Sequence, residues 1–168
     1  MEEIKNKVAE SGLITVDLEQ YFPTEEIISF DLKNFLFMEL LLKEKEFRVL
    51  LDVHDWEQYR NKAVAVFCST DAILPMWAYM LVSTKLSPVA SMVINGTTDE
   101  LFRSIYIKNI QQADIKKYEG KRVFLKGCGE KEIPPYAYFE MSNRLIPVVA
   151  SLMYGEPCST VPVYKKRG

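Results

Sequence analysis

Apolar positions along the chain alternate between short β-branched runs and longer segments of helix-forming residues. The short runs predict strands that are buried on both faces, at 63–68, 89–94, 122–125 and 148–154. Between the members of each pair lies a segment with proline at its start, at 75–86 and 134–145. These two segments predict helices, because a proline is tolerated in the first turn of a helix. The pattern therefore predicts strand, helix and strand, twice.

Further elements are predicted before and between these two blocks. Two β-branched runs predict strands at 13–16 and 27–30. A long helix is predicted over 33–53, because one helical face collects Phe35, Met38, Leu42, Val49 and Val53. Another helix joins the two blocks, and its start is marked by Thr97 and Glu100, which have the spacing of a capping box.

The two blocks are also similar in sequence. Residues 55–96 match residues 114–155 without a gap at an offset of 59 positions, and 12 of the 42 pairs are identical. Chance would give about two or three identities at average composition. An internal repeat of this kind predicts a duplicated structural unit. The sequence therefore predicts an α/β fold with a mostly parallel sheet and helices on both faces, built around this tandem repeat. No linker-like segment divides the chain, so a single domain is predicted over residues 1–168.

Composition narrows the class of protein. Hydrophobic residues make up 48% of the 168 positions, charged residues make up 26%, and the net charge is −2. These values are typical of a globular protein, and they lack the basic surplus that a nucleic-acid-binding protein shows. No apolar run reaches the roughly 18 residues of a membrane span, and the acidic start is unlike a secretory signal. The expected location is the cytoplasm, without a nucleic-acid or membrane partner.

Three cysteines are the residues with the clearest chemical potential. Thiols stay reduced in the cytoplasm, so Cys68, Cys128 and Cys158 are not expected to form disulfides. Each cysteine lies at or shortly after the end of a predicted strand, and ligands of α/β proteins bind beyond the carboxyl ends of strands. The loops at that edge also carry Asp99 and Glu156. We therefore expect the cysteines to share one edge of the sheet.

Three thiolates could hold zinc or an iron–sulfur cluster, with a carboxylate such as Asp99 or Glu156 as a further ligand. Two alternatives remain open. One cysteine, best placed at Cys128 or Cys158, could act alone in an enzyme or a sulfur carrier. All three could also be small buried residues in a non-catalytic binding or scaffold protein, for which a homodimer is a candidate assembly.

The sequence gives little support for a nucleotide-binding site or for a catalytic Cys–His pair. The sequence has neither a Gly-x-Gly-x-x-Gly motif nor a P-loop, so no nucleotide cofactor is expected. The single histidine, His54, precedes the predicted strand at 63–68, which would hold it far from Cys68. A nucleophilic Cys–His pair requires hydrogen-bond contact, so a structural or surface role is favoured for His54.

Several longer segments resemble a bacterial family of unknown function, domain-of-unknown-function family 2480. The resemblance is carried mainly by residues 68–80, 126–129 and 153–162, and it spans nearly the whole chain. It implies no established activity. The resemblance implies that the gene lies near those of iron–sulfur cluster assembly factors, and it therefore suggests assembly proteins as partners. All three cysteines lie within these family-like segments.

Overall fold

The computed structural model describes residues 12–127, 129–156 and 159–167, which form an α/β fold. The described strands are β1 (Leu13–Asp17), β2 (Ile27–Asp31), β3 (Ala63–Phe67), β4 (Met92–Asn95), β5 (Arg122–Lys126), β6 (Ser151–Glu156) and β7 (Ser159–Lys165). The described α-helices are α1 (Glu44–Val53), α2 (Met76–Leu86), α3 (Thr98–Gln111) and α4 (Pro135–Leu145). The predicted α/β class is confirmed.

The strands form two sheets instead of the one that the sequence predicts. One sheet has the order β2-β3-β4 with parallel pairing throughout. The other has the order β1-β5-β6-β7, in which β7 alone is antiparallel to its neighbour. The prediction of one sheet was wrong because strand pairing is decided by contacts between distant residues, which the alternation of elements does not encode.

The chain divides into two compact units. The central unit comprises residues 23–105, and the terminal unit comprises residues 1–22 and 106–168. The boundary falls within α3, so the chain passes from one unit to the other along a helix. The assignment of one domain to residues 1–168 stays a prediction.

In the central unit, alternate residues of β3 face two different sets of helices. Val64 and Val66 belong to a buried cluster with side chains of α1 and α2, among them Phe47, Leu51, Ala78, Val82 and Leu86. Ala63 and Ala65 instead pack with Leu101 and Ile105 of α3. Side chains alternate along a strand, so this division places helices on both faces of the central sheet.

The terminal unit has elements at the same spacing. β3 and β5 begin 59 residues apart, and α2 and α4 are offset by 59 residues at both ends. Tyr106 and Ile110 of α3 are fully buried, at the positions that follow Phe47 and Leu51 of α1 by the same offset. The hydroxyl of Tyr106 donates a hydrogen bond to the backbone oxygen of Leu18, 2.7 Å away.

The long helix predicted over 33–53 was wrong. A 3₁₀ turn at Leu32–Phe35 is followed by a reversal of the chain, in which the backbone N–H groups and oxygens of Phe37 and Leu41 bond to each other, and only Glu44–Val53 is α-helical. The reversal requires positive φ angles of 50° at Met38 and 60° at Glu39, which an α-helix does not contain. The predicted apolar face was therefore broken, and Met38 is 76% exposed.

Other boundaries agree more closely. The capping box that starts α3 is present, since the carboxylate of Glu100 accepts from the backbone N–H of Thr97 at 2.7 Å and the Thr97 hydroxyl accepts from that of Glu100 at 3.2 Å. Strand β7 had no counterpart in the sequence-based prediction. Within the described residues, no helix combines the length and apolarity that crossing a membrane demands.

Candidate functional site

The carboxyl ends of β2 and β3 in the central unit are tied together by Asp31. One carboxylate oxygen of Asp31 accepts from the backbone N–H groups of Ser69 and Lys33, each at 3.0 Å, and the other accepts from the Ser69 hydroxyl at 2.5 Å. Burial acts to raise the pKa of Asp31, but these hydrogen bonds outweigh burial and lower the pKa below its usual value. Asp31 is therefore a charged anchor for the loop that follows β3.

Cys68 is the first residue of that loop. Its thiol is free and half-buried, and its Sγ lies 3.7 Å from the hydroxyl oxygen of Thr70. The hydroxyl of Thr70 donates to the backbone oxygen of Glu39 at 2.9 Å. Cys68 thus follows a strand at the sheet edge where ligands of α/β proteins bind, as predicted, on a loop held by side-chain hydrogen bonds.

The two carboxylates predicted as further ligands lie in different settings. Asp99 is exposed in the first turn of α3, within the central unit. Glu156 ends β6 in the terminal unit, where the ammonium group of Lys126 lies 3.3 Å from it and 3.5 Å from Asp17. Glu156 is therefore already paired with a cation.

The remaining two predicted ligands, Cys128 and Cys158, lie outside the described residues. Within the part of the chain that the structure describes, no group of three His, Cys, Asp or Glu side chains is placed to hold a metal ion. Cys68 follows β3 of one sheet, whereas Glu156 ends β6 of the other, so these two residues do not share the edge of one sheet. That the three cysteines share an edge stays a prediction.

A second candidate site surrounds His54, which sequence reasoning set aside. The His54 ring lies 4.7 Å from the Trp56 ring and 5.2 Å from the Phe35 ring, centroid to centroid, and it stacks on Tyr59 at 5.7 Å. Its Nε2 atom is 3.0 Å from the hydroxyl oxygen of Tyr59. The Phe30 ring completes the cluster at 5.7 Å from His54. Tyr59 is buried and His54 is half-buried, so the pair sits at the base of an aromatic surface.

An open cleft of about 500 Å³ lies against this cluster. The lining residues that matter most for its chemistry are Phe30, Asp31, Phe35, His54, Asp55 and Tyr59. The local signal was the run from His54 to Tyr59, which concentrates acidic, imidazole and phenol groups. The run from His54 to Tyr59 forms one wall of the cleft. The opposite wall is formed by residues of β2 and of the 3₁₀ turn after it, and only the tertiary structure brings these residues close to His54.

Each unit also has an apolar cleft at corresponding positions. The cleft of the terminal unit, about 430 Å³, is lined by residues that include Leu125, Tyr138, Phe139, Leu152 and Met153. The cleft of the central unit, about 250 Å³, is lined at the positions 59 residues earlier by Val66, Tyr79, Met80, Val93 and Ile94. Neither of these two clefts is lined by a carboxylate or an imidazole, in contrast to the cleft beside His54.

Comparison with known proteins identifies the family. The family model described as "Protein of unknown function (DUF2480)" matches residues 2–166. The chain belongs to the DUF2480 family. The resemblance noted in the sequence is thereby confirmed. No curated protein and no solved structure matches the chain. DUF2480 membership names no activity.

The state of His54 in this DUF2480 protein can be tested directly, since it is the only histidine. Partial burial lowers the pKa of His54 below its usual value of about 6.5, and the neighbouring carboxylate of Asp55 offsets part of that effect. We expect ¹⁵N NMR titration to give a pKa below 6.5 for His54, and a still lower one in Asp55→Asn. A depressed folded-state pKa also means that the free energy of unfolding decreases as pH falls below the unfolded value of about 6.5.

Asp114→Asn is the matched control for this titration. Asp114 accepts from the backbone N–H of Lys116 at 3.1 Å, as Asp55 does from that of Glu57 at the same distance, but Asp114 belongs to the terminal unit. An unchanged His54 pKa is expected in Asp114→Asn. A wild-type pKa at or above 6.5 would contradict the burial of His54.

Proposed function

We propose that the protein binds a metal ion or an iron–sulfur cluster through the thiolates of Cys68, Cys128 and Cys158. Zinc and iron–sulfur clusters are the groups that thiolate ligands favour. Asp99 and Glu156 are candidate further ligands, and Glu156 would have to exchange its pairing with Lys126 for the metal.

The position of Cys68 is the observation that supports this proposal best. Its thiol is free, half-buried and next to the carboxyl end of β3. Asp31 holds the following residue, Ser69, through two hydrogen bonds, and Thr70 is held by the Glu39 backbone oxygen. A thiol on a restrained loop loses less conformational entropy when it becomes a ligand.

The biological role that we propose is that of an accessory protein in iron–sulfur cluster assembly or metal handling. The support for this role is the gene neighbourhood with assembly factors that the DUF2480 resemblance implies. The partners would accordingly be iron–sulfur assembly proteins. Location in the cytoplasm remains part of this proposal, because thiols there are kept reduced and available as ligands.

The proposal is tested by measuring iron, zinc and acid-labile sulfide in protein purified without oxygen, together with its absorption spectrum. A shared site predicts near-stoichiometric metal in the wild type and loss of most of it in each of Cys68→Ser, Cys128→Ser and Cys158→Ser, because a thiolate ligand is removed each time. Iron with sulfide would identify a cluster, and zinc alone would identify a zinc site. Asp99→Asn and Glu156→Gln should have smaller effects.

Thr84→Ser serves as the control, because Thr84 lies on an exposed part of α2 and the change keeps its hydroxyl. It should retain the metal content of the wild type. Metal-free wild-type protein would contradict the proposal. Thiol labelling that depends on one cysteine would then favour the single-thiol enzyme or sulfur carrier. A folded triple Cys→Ala variant with unchanged oligomeric state would favour the scaffold.

A further inference from the structure

The cleft beside His54 carries negative charge from two carboxylates. Asp31 is held in its charged form by hydrogen bonds, and Asp55 accepts from the backbone N–H of Glu57 at 3.1 Å. None of the described residues that line the cleft is a lysine or an arginine. Lys33 acts on Asp31 from outside the lining, and its ammonium group lies 4.0 Å from the carboxylate of Glu39.

The remaining ionisable groups of the cleft are neutral near pH 7. Burial lowers the pKa of His54 and raises the pKa of Tyr59, so the imidazole and the phenol are both uncharged. Their hydrogen bond, with Nε2 and the hydroxyl oxygen 3.0 Å apart, joins two aromatic rings that also stack. The cleft thus combines two negative charges with flat, uncharged aromatic walls.

The terminal unit neutralises a corresponding acid with its own lysine. Asp17 ends β1 as Asp31 ends β2, and each accepts from the backbone N–H two residues later at 3.0 Å. The cross-strand partner of Asp17 is Lys126, whose ammonium group is 3.5 Å from the Asp17 carboxylate. The cross-strand partner of Asp31 is Phe67, which carries no charge.

A second lysine of the terminal unit also has no counterpart in the central unit. Lys117 follows Gln58 by the repeat offset of 59, and its ammonium group lies 5.0 Å from the centre of the Tyr118 ring. Tyr118 corresponds to Tyr59 in the same way. The two units thus share an acid and a tyrosine, and only the terminal unit carries a lysine at each of these two positions.

We propose that the cleft beside His54 binds a small planar organic cation. The half-buried rings of Phe35 and His54, which line the cleft, would contact its flat body, because aromatic faces attract cations. Phe30 and Tyr59 lie beneath them as buried support. Asp31 and Asp55 would balance its charge. The bound cation would thus take the place that lysines occupy in the terminal unit. This site is separate from the cysteine chemistry and does not rest on it.

Benzamidine is a suitable probe, because it is a planar aromatic cation of a size that a cleft of about 500 Å³ accommodates. With ¹⁵N-histidine-labelled protein, the signals of the single histidine report on this cleft alone. We expect benzamidine to shift the His54 signals saturably. Benzamide, which has the same shape without the charge, should bind at least about threefold more weakly.

Three variants distinguish this site from general charge attraction. Asp55→Asn should weaken benzamidine binding about threefold, while Asp114→Asn, the matched change in the terminal unit, should leave it unchanged. Gln58→Lys places on an exposed position the lysine that the other unit carries there, and it should weaken binding about fivefold. Gln58 is exposed, but its amide donates to the Asp55 backbone oxygen at 2.6 Å and lies 3.4 Å from His54 Nε2. Gln58→Met, which also removes these contacts but adds no charge, is therefore the control, and it should bind benzamidine more tightly than Gln58→Lys.

Three results would overturn the proposal. The first is the absence of a saturable shift at His54 in the folded wild type. The second is equal binding of benzamide and benzamidine. The third is an equal loss of affinity in Asp55→Asn and Asp114→Asn, which would mean that benzamidine responds to the net charge of the protein.

Discussion

Replacing Phe47 with alanine is expected to lower the free energy of unfolding of the central unit by about 3–5 kcal/mol, the usual cost of removing a buried phenylalanine side chain. Phe47 is fully buried in the cluster between the central sheet and helices α1 and α2, and its ring meets that of Trp77 edge-on at 6.0 Å. A loss of this size is a large fraction of the about 5–15 kcal/mol that stabilises a typical domain.

Urea unfolding followed by tryptophan fluorescence measures this effect in the relevant unit, because both tryptophans, Trp56 and Trp77, belong to the central unit. Val49→Ala in the same helix is the matched control. Val49 is 61% exposed, so its truncation should change stability by no more than about 0.5 kcal/mol. Equal losses in Phe47→Ala and Val49→Ala would contradict the observed orientation of α1.

Removing the hydroxyl of Tyr106 is expected to destabilise the terminal unit by about 1–3 kcal/mol. Tyr106 and Leu18 are both fully buried, and the hydroxyl donates to the Leu18 backbone oxygen at 2.7 Å. Tyr106→Phe leaves that buried oxygen without its donor, and an unsatisfied buried acceptor carries a desolvation cost of this size. Urea unfolding followed by far-ultraviolet circular dichroism is the measurement, with Tyr164→Phe in the largely exposed strand β7 as the control.

The same variant makes a prediction about alkaline pH. Burial, with further contributions from neighbouring tyrosines and acids, raises the pKa of Tyr106 well above its usual value of about 10. Above pH 10 the unfolded chain loses this proton while the folded protein keeps it, so this one group lowers the free energy of unfolding by about 1.4 kcal/mol per pH unit. Tyr106→Phe lacks this group, so its deficit should shrink as pH rises above 10. A constant deficit would contradict the burial of the phenol.

The sequence predicted well those elements whose signal is local. The strand expected over 63–68 is Ala63–Phe67, and the helix expected over 75–86 is Met76–Leu86. Both are marked by residues that act on their own surroundings, namely a β-branched run and a proline at a helix start. The strand candidate at 27–30 likewise lies within Ile27–Asp31.

Prediction failed where local periodicity and tertiary packing disagree. Phe35, Met38 and Leu42 have helical spacing, yet the chain reverses between Phe37 and Leu41. The apolar spacing did not reveal this reversal, because the positive φ angles fall on Met38 and Glu39, neither of which is a turn-forming glycine or asparagine.

The candidate sites were predictable to different degrees. Cys68 could be placed after a strand, because the strand itself is a local signal. The role of His54 could not be predicted in this way, since its cleft needs Phe30, Asp31 and Phe35 from a distant part of the chain. The position of a single histidine in the sequence does not indicate which aromatic rings will surround it in the folded protein.

The sequence by itself determined the α/β class, the strand–helix–strand blocks and the place of Cys68 after a strand, since each depends on residues that are neighbours in the chain. The tertiary structure alone decided that the strands form two sheets, that β1 pairs with β5 while β2 pairs with β3, and that His54 meets an acidic aromatic cleft. The physical reason is that strand pairing and side-chain packing join residues far apart in sequence, and their free energies depend on the whole set of contacts that folding brings together.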